Sequence, residues 1–432
     1  MNILTTLWLT SLTSAVSIQA FTSSAVNSRV PPNVIQSPSP SSTSLSAGKG
    51  FAKVDESAKF QQLLGELQAE GVPLLGCDAD QVNTFSAALW TTLSEMSEDD
   101  KGQTACLVLE KIPVGALTAF TEDFSILKMQ DRLMHFLPEL RRISVSVVGK
   151  GIGPALVLET IDRTPEEIEE AAQRTALAEG RTNEEPCIQS LRNFVQRMVI
   201  GLQACPYTKE VDLSATGLQA QGVTPGPVAY RFSPSTDVCG ALASFWTCIC
   251  ELSGYPEETL STTVLSLPGI GAGVDKAAHN RFAAVVELIS RNLCLYRGDD
   301  VFGLVHFHPA YNRMTIFPDD KAAYGHLPPR PWLRPMLNHM GFTKEATDFT
   351  DEDLSMSDYQ RRSPFTAINI LRASQLDAAS GAKSIVDLDV GDGRTEKASG
   401  LTTYCRNAIR LADVGEESLK EQLDEEIQLS MS

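Results

Sequence analysis

The feature that most constrains the fold of this chain is an internal repeat of helical and strand-like patterns. Residues 86–97 and 238–252 both show the apolar spacing of a helix, and Trp90 and Trp246 occupy matching places in them. The offset between the tryptophans is 156 residues (246 − 90), and it stays nearly constant through the elements that follow. Self-similarity at a constant offset predicts a tandem pair of related domains.

The predicted elements follow the same order in both copies. The first copy has strand patterns at 104–109 and 143–148 around a helical stretch at 122–138, and the second has strand patterns at 261–267 and 301–307 around a helical stretch at 275–293. Helices that alternate with strands and cover a sheet predict an α/β or α+β fold for each copy. Periodicity does not define the order of the strands.

Two further segments have the form of a helix start, with Thr or Ser at the N-cap and Pro at the first helical position. They are Asp162-Arg-Thr-Pro165 and Arg361-Arg-Ser-Pro364. The offset has risen here to 199 residues (364 − 165), so the second copy contains an insert at about 312–357. We interpret this insert as a surface excursion.

The N-terminal residues have the composition of targeting segments. Residues 1–20 carry no charged side chain and include an apolar run, which is typical of a signal peptide. Residues 21–50 contain nine Ser and four Pro but no Asp or Glu, which is typical of a transit peptide. Together with Phe21 after Ala20, they resemble the bipartite plastid-targeting sequences of diatoms, which implies a plastid stromal protein. The alternative is a secreted protein with a Ser/Pro-rich linker.

Charge and length restrict partners and domain number. Residues 51–432 carry 34 Lys and Arg (36 − 2) against 54 Asp and Glu, a net charge of −20. Such a surface repels nucleic acid and anionic membranes, so we expect neither as a partner, and no later segment suits a membrane span. The length predicts two domains, 51–180 and 181–415, followed by an acidic helix at 416–432 with Leu419, Leu423 and Ile427 on one face.

Motifs in the second copy occur in the order seen in one bacterial and plastid family. They are Ala204-Cys-Pro-Tyr207, His306-Phe-His-Pro-Ala-Tyr311, Pro318-Asp-Asp320, and Arg362-Ser-Pro-Phe365 leading into Leu371-Arg372. Over about residues 187–380 they resemble the family known as domain of unknown function 1415, which has no assigned reaction.

The chain departs from the pattern of this family at two motif positions. The Asn that precedes Arg-Ser-Pro in the family is Arg361 here, and the His on the helix that the family has next is Asn369. The first copy ends its second strand in Val148-Gly-Lys-Gly151, without an imidazole. These replacements favour the loss of a catalytic activity.

Cys205 and His308 are the first two candidates for catalysis. Cys205 would act as a thiolate nucleophile with His308 as its base. The alternatives are a buried cysteine at a helix end and a histidine that caps a strand end through backbone hydrogen bonds. We expect His306 and His308 on opposite faces of their strand, so that they do not share a metal ion.

The remaining candidates are Asp320, Arg362 and Arg372. Asp320, with Asp319 and Asn369, would complete a polar pocket around His308. Arg362 and Arg372, placed across one helix, would clamp an anion, or they form ordinary salt bridges. We predict no metal and no cofactor, because the second imidazole is missing and the nine cysteines show no paired CxxC spacing. Most cysteines are expected to be reduced and buried. The two Gly-rich segments, 149–153 and 269–273, are predicted turns.

Two functions follow from these observations. The first is a non-catalytic structural protein of the plastid stroma that assembles with itself into a homo-oligomer or lattice, such as a pyrenoid shell or scaffold, and contacts other stromal proteins. Tandem domains with like edges favour such assembly. The second is a small-molecule enzyme of unknown reaction with a single site in the C-terminal copy. We expect the first.

Overall fold

The structure is a computed structural model that describes residues 56–313, 327–380, 386–389 and 395–432. The predicted signal and transit peptides at 1–50 lie outside the described residues, and so does Pro318-Asp-Asp320. No helix in the described ranges is long and apolar enough to cross a membrane.

The first half of the chain forms a four-stranded mixed sheet with helices. Its elements are α1 (Glu56–Ala69), β1 (Leu74–Gly76), α2 (Val82–Glu98), β2 (Thr104–Val108), α3 (Val114–Lys128), α4 (Asp131–Phe136), β3 (Ile143–Val147), β4 (Ala155–Thr160) and α5 (Pro165–Ala178). The strand order is β1-β2-β4-β3, in which β1 is parallel to β2 and the other pairs are antiparallel.

The second half forms a five-stranded mixed sheet. Its elements are α6 (Glu184–Phe194), which continues as a π-helix over Val195–Gly201, β5 (Leu213–Ser214), β6 (Gly226–Phe232), α7 (Val238–Gly254), β7 (Thr262–Ser266), α8 (Lys276–Leu295), β8 (Phe302–Phe307) and β9 (Ala367–Arg372). The strand order is β5-β6-β7-β9-β8.

The two sheets share their order and their strand directions. Without the short β5, the order of the second sheet is β6-β7-β9-β8, which repeats the order β1-β2-β4-β3 of the first sheet. Strand β6 thus corresponds to β1, β7 to β2, β9 to β4 and β8 to β3. The pair β6–β7 is parallel, and β7–β9 and β8–β9 are antiparallel. The predicted mixed helix-and-sheet class is confirmed, as an α+β fold. The four strands predicted by periodicity are all present.

The rest of the described chain is mainly helical. It consists of α9 (Arg330–His339), α10 (Thr343–Asp348), α11 (Asp351–Ser355), a 3-10 helix (Met356–Arg361), α12 (Ala373–Ser380), the hairpin of β10 (Val386–Asp389) and β11 (Thr395–Ala398), α13 (Gly400–Val414) and α14 (Glu416–Ser430).

One apolar core lies between the two sheets and is shared by both halves. It contains Leu107 of β2, Leu265 of β7 and the fully buried Trp90 and Trp246 of α2 and α7. Helices α2 and α7 pack antiparallel, because the start of α2 meets the end of α7: Asn83 Nδ2 donates to Ser253 Oγ over 2.8 Å. At the other end, Ser97 Oγ donates to Asp237 over 3.2 Å.

The outer faces of the sheets are covered differently. Helix α1 covers the first sheet with Phe60 and Leu64. Helix α6 covers the second sheet, and the C-terminal helix α14 packs on α6. Leu419, Leu423 and Ile427 of α14 are buried, which confirms the apolar face predicted for this helix.

The described part of the insert is more than a surface excursion. Leu333, Leu337 and Leu354 form a small apolar core with Cys405 of α13. These helices therefore pack as a separate layer against the C-terminal part of the chain, and our interpretation of the insert as an excursion needs this correction.

One of the two predicted helix starts is present and the other is wrong. Helix α5 begins at Pro165, and the side chain of Thr164 accepts from the backbone N–H of Glu167. Ser363-Pro364, in contrast, leads into strand β9, which pairs with β7 on one side and β8 on the other. A central strand position, with a full set of backbone partners, outweighs the local capping signal.

Candidate functional site

The family-like motifs of the second half converge at one end of its sheet. His308 follows β8, and Arg361 and Arg362 precede β9. Because β8 and β9 are antiparallel, the end of β8 lies beside the start of β9, and the His308 N–H donates to the Arg361 carbonyl over 3.1 Å. Cys205 follows the π-helix that covers the same sheet. We treat this region as the candidate site.

Both ring nitrogens of His308 are bonded to backbone groups. Nδ1 accepts from the N–H of Ala310 over 2.9 Å, so the proton is on Nε2, which lies 3.0 Å from the Gly271 carbonyl. Burial, together with the neighbouring His279, lowers the pKa of His308 to about 3. A neutral imidazole with both nitrogens occupied is not available as a general base. The structure therefore gives His308 the strand-end capping role.

The turn that holds His308 requires glycine at position 271. Gly271 has φ +61°, and a Cβ there would lie 2.5 Å from the Ala278 carbonyl oxygen. Only glycine fits such a close approach in this backbone region. The Gly-rich segment 269–273 is thus a turn that presents a carbonyl to His308, as predicted, and its glycines serve packing.

Stability is expected to fall when the pH drops from 7 to 5, because His308 and His279 are buried and neutral. Burial lowers their pKa values to about 3 and about 4, below the value near 6.5 of the unfolded chain. Their contribution is complete above pH 6.5 and is lost as the pH falls, by about 2 kcal/mol for each imidazole at pH 5. Urea unfolding at a series of pH values measures it.

The variant His279→Gln should remove about half of this pH dependence, whereas His135→Gln, at an exposed position of α4, should leave it unchanged. Equal pH slopes for the wild type and His279→Gln would contradict the assignment.

Cys205 and His308 lie on different faces of the sheet. The His308 ring stacks on Phe282 of α8, with 5.8 Å between centroids. Cys205 lies near Arg361, whose guanidinium is 5.3 Å from the ring of Phe307, and Phe307 packs against α6. The two candidates therefore do not form a nucleophile–base pair here.

Our expectation for His306 and His308 is wrong. Residues two apart on a strand share a face, and the rings of both His306 and His308 contact Phe282, at 6.1 and 5.8 Å.

Buried and half-buried polar side chains form a cluster with Cys205. Its half-buried thiol accepts from Thr208 Oγ1 over 3.6 Å. Burial raises the pKa of the Tyr311 and Tyr404 phenols, and Arg361 beside them opposes this change. Burial lowers the pKa of Arg361 itself. Of these groups, Tyr404 could not be predicted from the sequence, because it lies on α13, outside all the family-like motifs.

A buried carboxylate with two guanidinium partners anchors the insert beside this cluster. Asp358, which is fully buried, accepts from Arg313 Nε at 2.5 Å and from Arg330 Nη2 at 2.6 Å. Arg313 also donates to Ser357 Oγ over 2.7 Å and to the Pro328 carbonyl over 2.9 Å. This ion triad holds the chain on both sides of 314–326 against the 3-10 helix. Arg313, Arg330 and Asp358 lie outside all the family-like motifs, so the triad could not be predicted from the sequence.

Arg362 and Arg372 are separated rather than paired. Both flank strand β9, not a helix: Arg362 precedes it and Arg372 ends it. Arg372 Nη2 donates to the carbonyls of Leu252, Tyr255 and Leu260 over 2.8–2.9 Å, which caps the end of α7. Arg372 therefore serves α7, and the two arginines do not clamp one anion.

Asn369 and Asp320 complete the set of predicted residues. Asn369 lies in β9 between Val264 and Val305, and its buried Oδ1 has no hydrogen-bond partner among the described residues. Asp320 lies outside the described residues. Within the described ranges, no group of three or more His, Cys, Asp or Glu is placed to hold a metal ion. Five of the nine cysteines are buried.

Comparison with known proteins gives one finding. Residues 186–340 match a family model described as a protein of unknown function (DUF1415). The motifs resemble this family from about residue 187, and the matched range begins at residue 186. This range includes Cys205 and His308 but not Arg362. No curated protein and no solved structure matches the chain.

Proposed function

We propose that this chain is a non-catalytic structural protein of the plastid stroma, built from two diverged copies of one domain, that assembles with itself. The observation that carries the proposal is the common strand order and connectivity of the two sheets. Two unrelated halves of one chain would rarely have the same mixed order with the same directions.

Contacts between α2 and α7 support the duplication. The 156-residue offset relates Asn83 to Cys239 (83 + 156) and Ser253 to Ser97 (253 − 156). Asn83 Nδ2 donates to Ser253 Oγ, and Ser97, which donates to Asp237, lies beside Cys239. If the two copies are exchanged, the contact at one end of the α2–α7 pair therefore takes the place of the contact at the other end. The two subunits of a twofold dimer contact each other in the same way.

Equivalent sheet edges give such a protomer a way to assemble. Strand β3 ends the order of the first sheet and β8 ends the order of the second, and these two strands correspond. An edge strand has unpaired backbone groups on its outer side, which another chain can pair. Like edges at both ends of a protomer favour open-ended assembly with further copies.

The state of the candidate site supports a role without catalysis. His308 is held by two backbone groups, and Asn369 stands where the family-like motif has His. The composition of residues 1–50 supports the stromal location, and a self-assembling stromal protein suits a pyrenoid shell or scaffold.

A small-molecule enzyme with one site in the C-terminal copy is the second candidate function. The cluster of Cys205, Tyr311, Arg361 and Tyr404 favours it, because buried polar groups of this kind concentrate at functional sites. Such an enzyme would stop at a small closed oligomer.

Assembly should be visible directly for residues 51–432. Light scattering and electron microscopy are expected to show open-ended sheets or tubes. Replacing Ser144 and Ser146, the exposed side chains of edge strand β3, by Lys should reduce the assembled fraction, because edge lysines oppose strand pairing.

The control Ser125→Lys/Ser374→Lys adds the same charge at exposed helical positions and should assemble like the wild type. A strictly monomeric or dimeric wild-type particle would argue against the structural role and for the enzyme.

A further inference from the structure

We infer that Arg362 and His279 form a binding site for a small oxyanion, a carboxylate or a phosphate group, at the end of β8. This site goes beyond the proposed structural function and does not depend on assembly. Its residues come from two elements, the first turns of α8 and the segment before β9.

Arg362 is held in place while its terminal nitrogens remain available. Its Nε donates to the Tyr311 carbonyl over 3.3 Å, and its guanidinium lies 4.2 Å from the centre of the Tyr359 ring. These two contacts fix the plane of the half-buried guanidinium. Across the described ranges, neither terminal nitrogen has a hydrogen-bond acceptor. A fixed guanidinium fork with free N–H groups is suited to two oxygens of one anion.

His279 supplies a second polar group that lacks a partner. It is only 4% exposed, and its Nε2 is buried without a hydrogen bond to any described residue. Its ring lies 5.6 Å from the Tyr311 ring and 5.2 Å from the His308 ring. A buried polar atom without a partner is costly, and such atoms are rare unless a ligand or water pairs with them.

The charges near the two residues favour an anion over a cation. Arg362 is positive, and His279 is neutral because burial lowers its pKa to about 4, so it offers an N–H or a lone pair but no negative charge. The carboxylate whose charge raises the pKa of His279 is Asp358, and it is already paired with Arg313 and Arg330. The described side chains around the site thus present the N–H groups of Arg362 but no free carboxylate for a cation.

The stacking of Arg362 on Tyr359 also restricts the direction of approach. One face of the guanidinium is covered by the ring, and Nε is bonded to Tyr311. A ligand therefore meets the edge with the terminal nitrogens, where a planar carboxylate or one face of a phosphate accepts two N–H groups in parallel.

The test is titration of the purified protein with inorganic phosphate and, separately, with acetate. Isothermal calorimetry gives the affinity, and NMR of ¹⁵N-labelled histidines reports on the His279 ring. We expect saturable binding of at least one anion with a shift of the His279 resonance. Arg362→Gln should weaken binding at least about tenfold, as loss of a hydrogen bond to a charged group does.

Four further variants complete the test. Arg362→Lys retains the charge without the fork and should weaken binding less than Arg362→Gln, and it serves if Arg362→Gln does not fold. His279→Phe should weaken binding while His279→Gln, which keeps a donor, should retain it. Arg297→Gln, at an 85% exposed position, removes a surface charge and should change nothing.

The two anions distinguish the ligand class. Binding of phosphate alone assigns a phosphate site, and binding of acetate alone assigns a carboxylate site. The inference would be overturned if neither phosphate nor acetate binds, or if Arg362→Gln binds with the same affinity as the wild type. The same variants, viewed by electron microscopy, report separately on assembly.

Discussion

Replacing Asp358 by alanine is expected to lower the free energy of unfolding by about 3–5 kcal/mol, because it leaves two guanidinium groups without their buried partner. The Asp358 side chain is 0% exposed and the Arg313 side chain 2% exposed, so water cannot take the place of the carboxylate without rearrangement. Chemical denaturation with urea, followed by circular dichroism, measures the loss.

Asp351→Ala is the matched control. Asp351 also pairs with an arginine, Arg334, over 3.0 Å, but its side chain is 90% exposed. Exposed pairs contribute about 1 kcal/mol or less, so this variant should unfold almost like the wild type. Similar losses for the two variants would refute a special role for the buried triad.

The buried triad also bears on the candidate site. Asp358 lies in the 3-10 helix that leads to Arg361 and Arg362, and Arg313 follows Tyr311 by two residues. Loss of the carboxylate should therefore disturb the oxyanion site as well. Phosphate or acetate affinity of Asp358→Ala is expected to fall, even under conditions where the variant remains folded.

Trp90→Ala and Trp246→Ala are each expected to destabilise the whole chain by about 3–5 kcal/mol, because a large buried ring is replaced by a cavity. Both rings are at most 1% exposed and lie in the one core between the sheets. Since both halves contribute to that core, each variant should shift a single unfolding transition that includes both sheets.

Denaturation followed in parallel by circular dichroism and by hydrogen exchange of β2 and β7 tests this expectation. Tyr255→Ala, at a half-exposed position at the end of α7, is the control and should cost far less. Two separated transitions, with each tryptophan variant moving only one of them, would show that the halves unfold independently. The predicted boundary near residue 180 would then mark two folding units.

Local periodicity was sufficient for the elements whose pattern is determined within a few residues. The strands around Val145 and Leu265 and the apolar face of α14 at Leu423 follow from spacing alone, because side-chain direction repeats regularly in strands and helices. Thr164 likewise specifies the start of α5, since its partner Glu167 is three residues away.

Position 364 shows that a local sequence pattern does not always predict the secondary structure that follows it. Ser363-Pro364 has the same form as Thr164-Pro165, yet the following residues form a strand. The difference arises from β7 and β8, which supply backbone partners on both sides of β9. Those partners come from residues about one hundred and about sixty positions earlier in the chain, and no local pattern contains them.

The candidate site depends on tertiary contacts to a still greater degree. The motifs singled out Cys205, His308 and Arg362, but they did not indicate that Gly271 and Ala310 would occupy both nitrogens of His308. Strand alternation and the position of α8 decide on which side of the sheet an imidazole lies. By itself the sequence determined the elements with a regular local pattern and the residue types at the site. Only the tertiary structure decided strand β9 and the partners of the site residues, because their hydrogen bonds and burial join segments far apart in the chain.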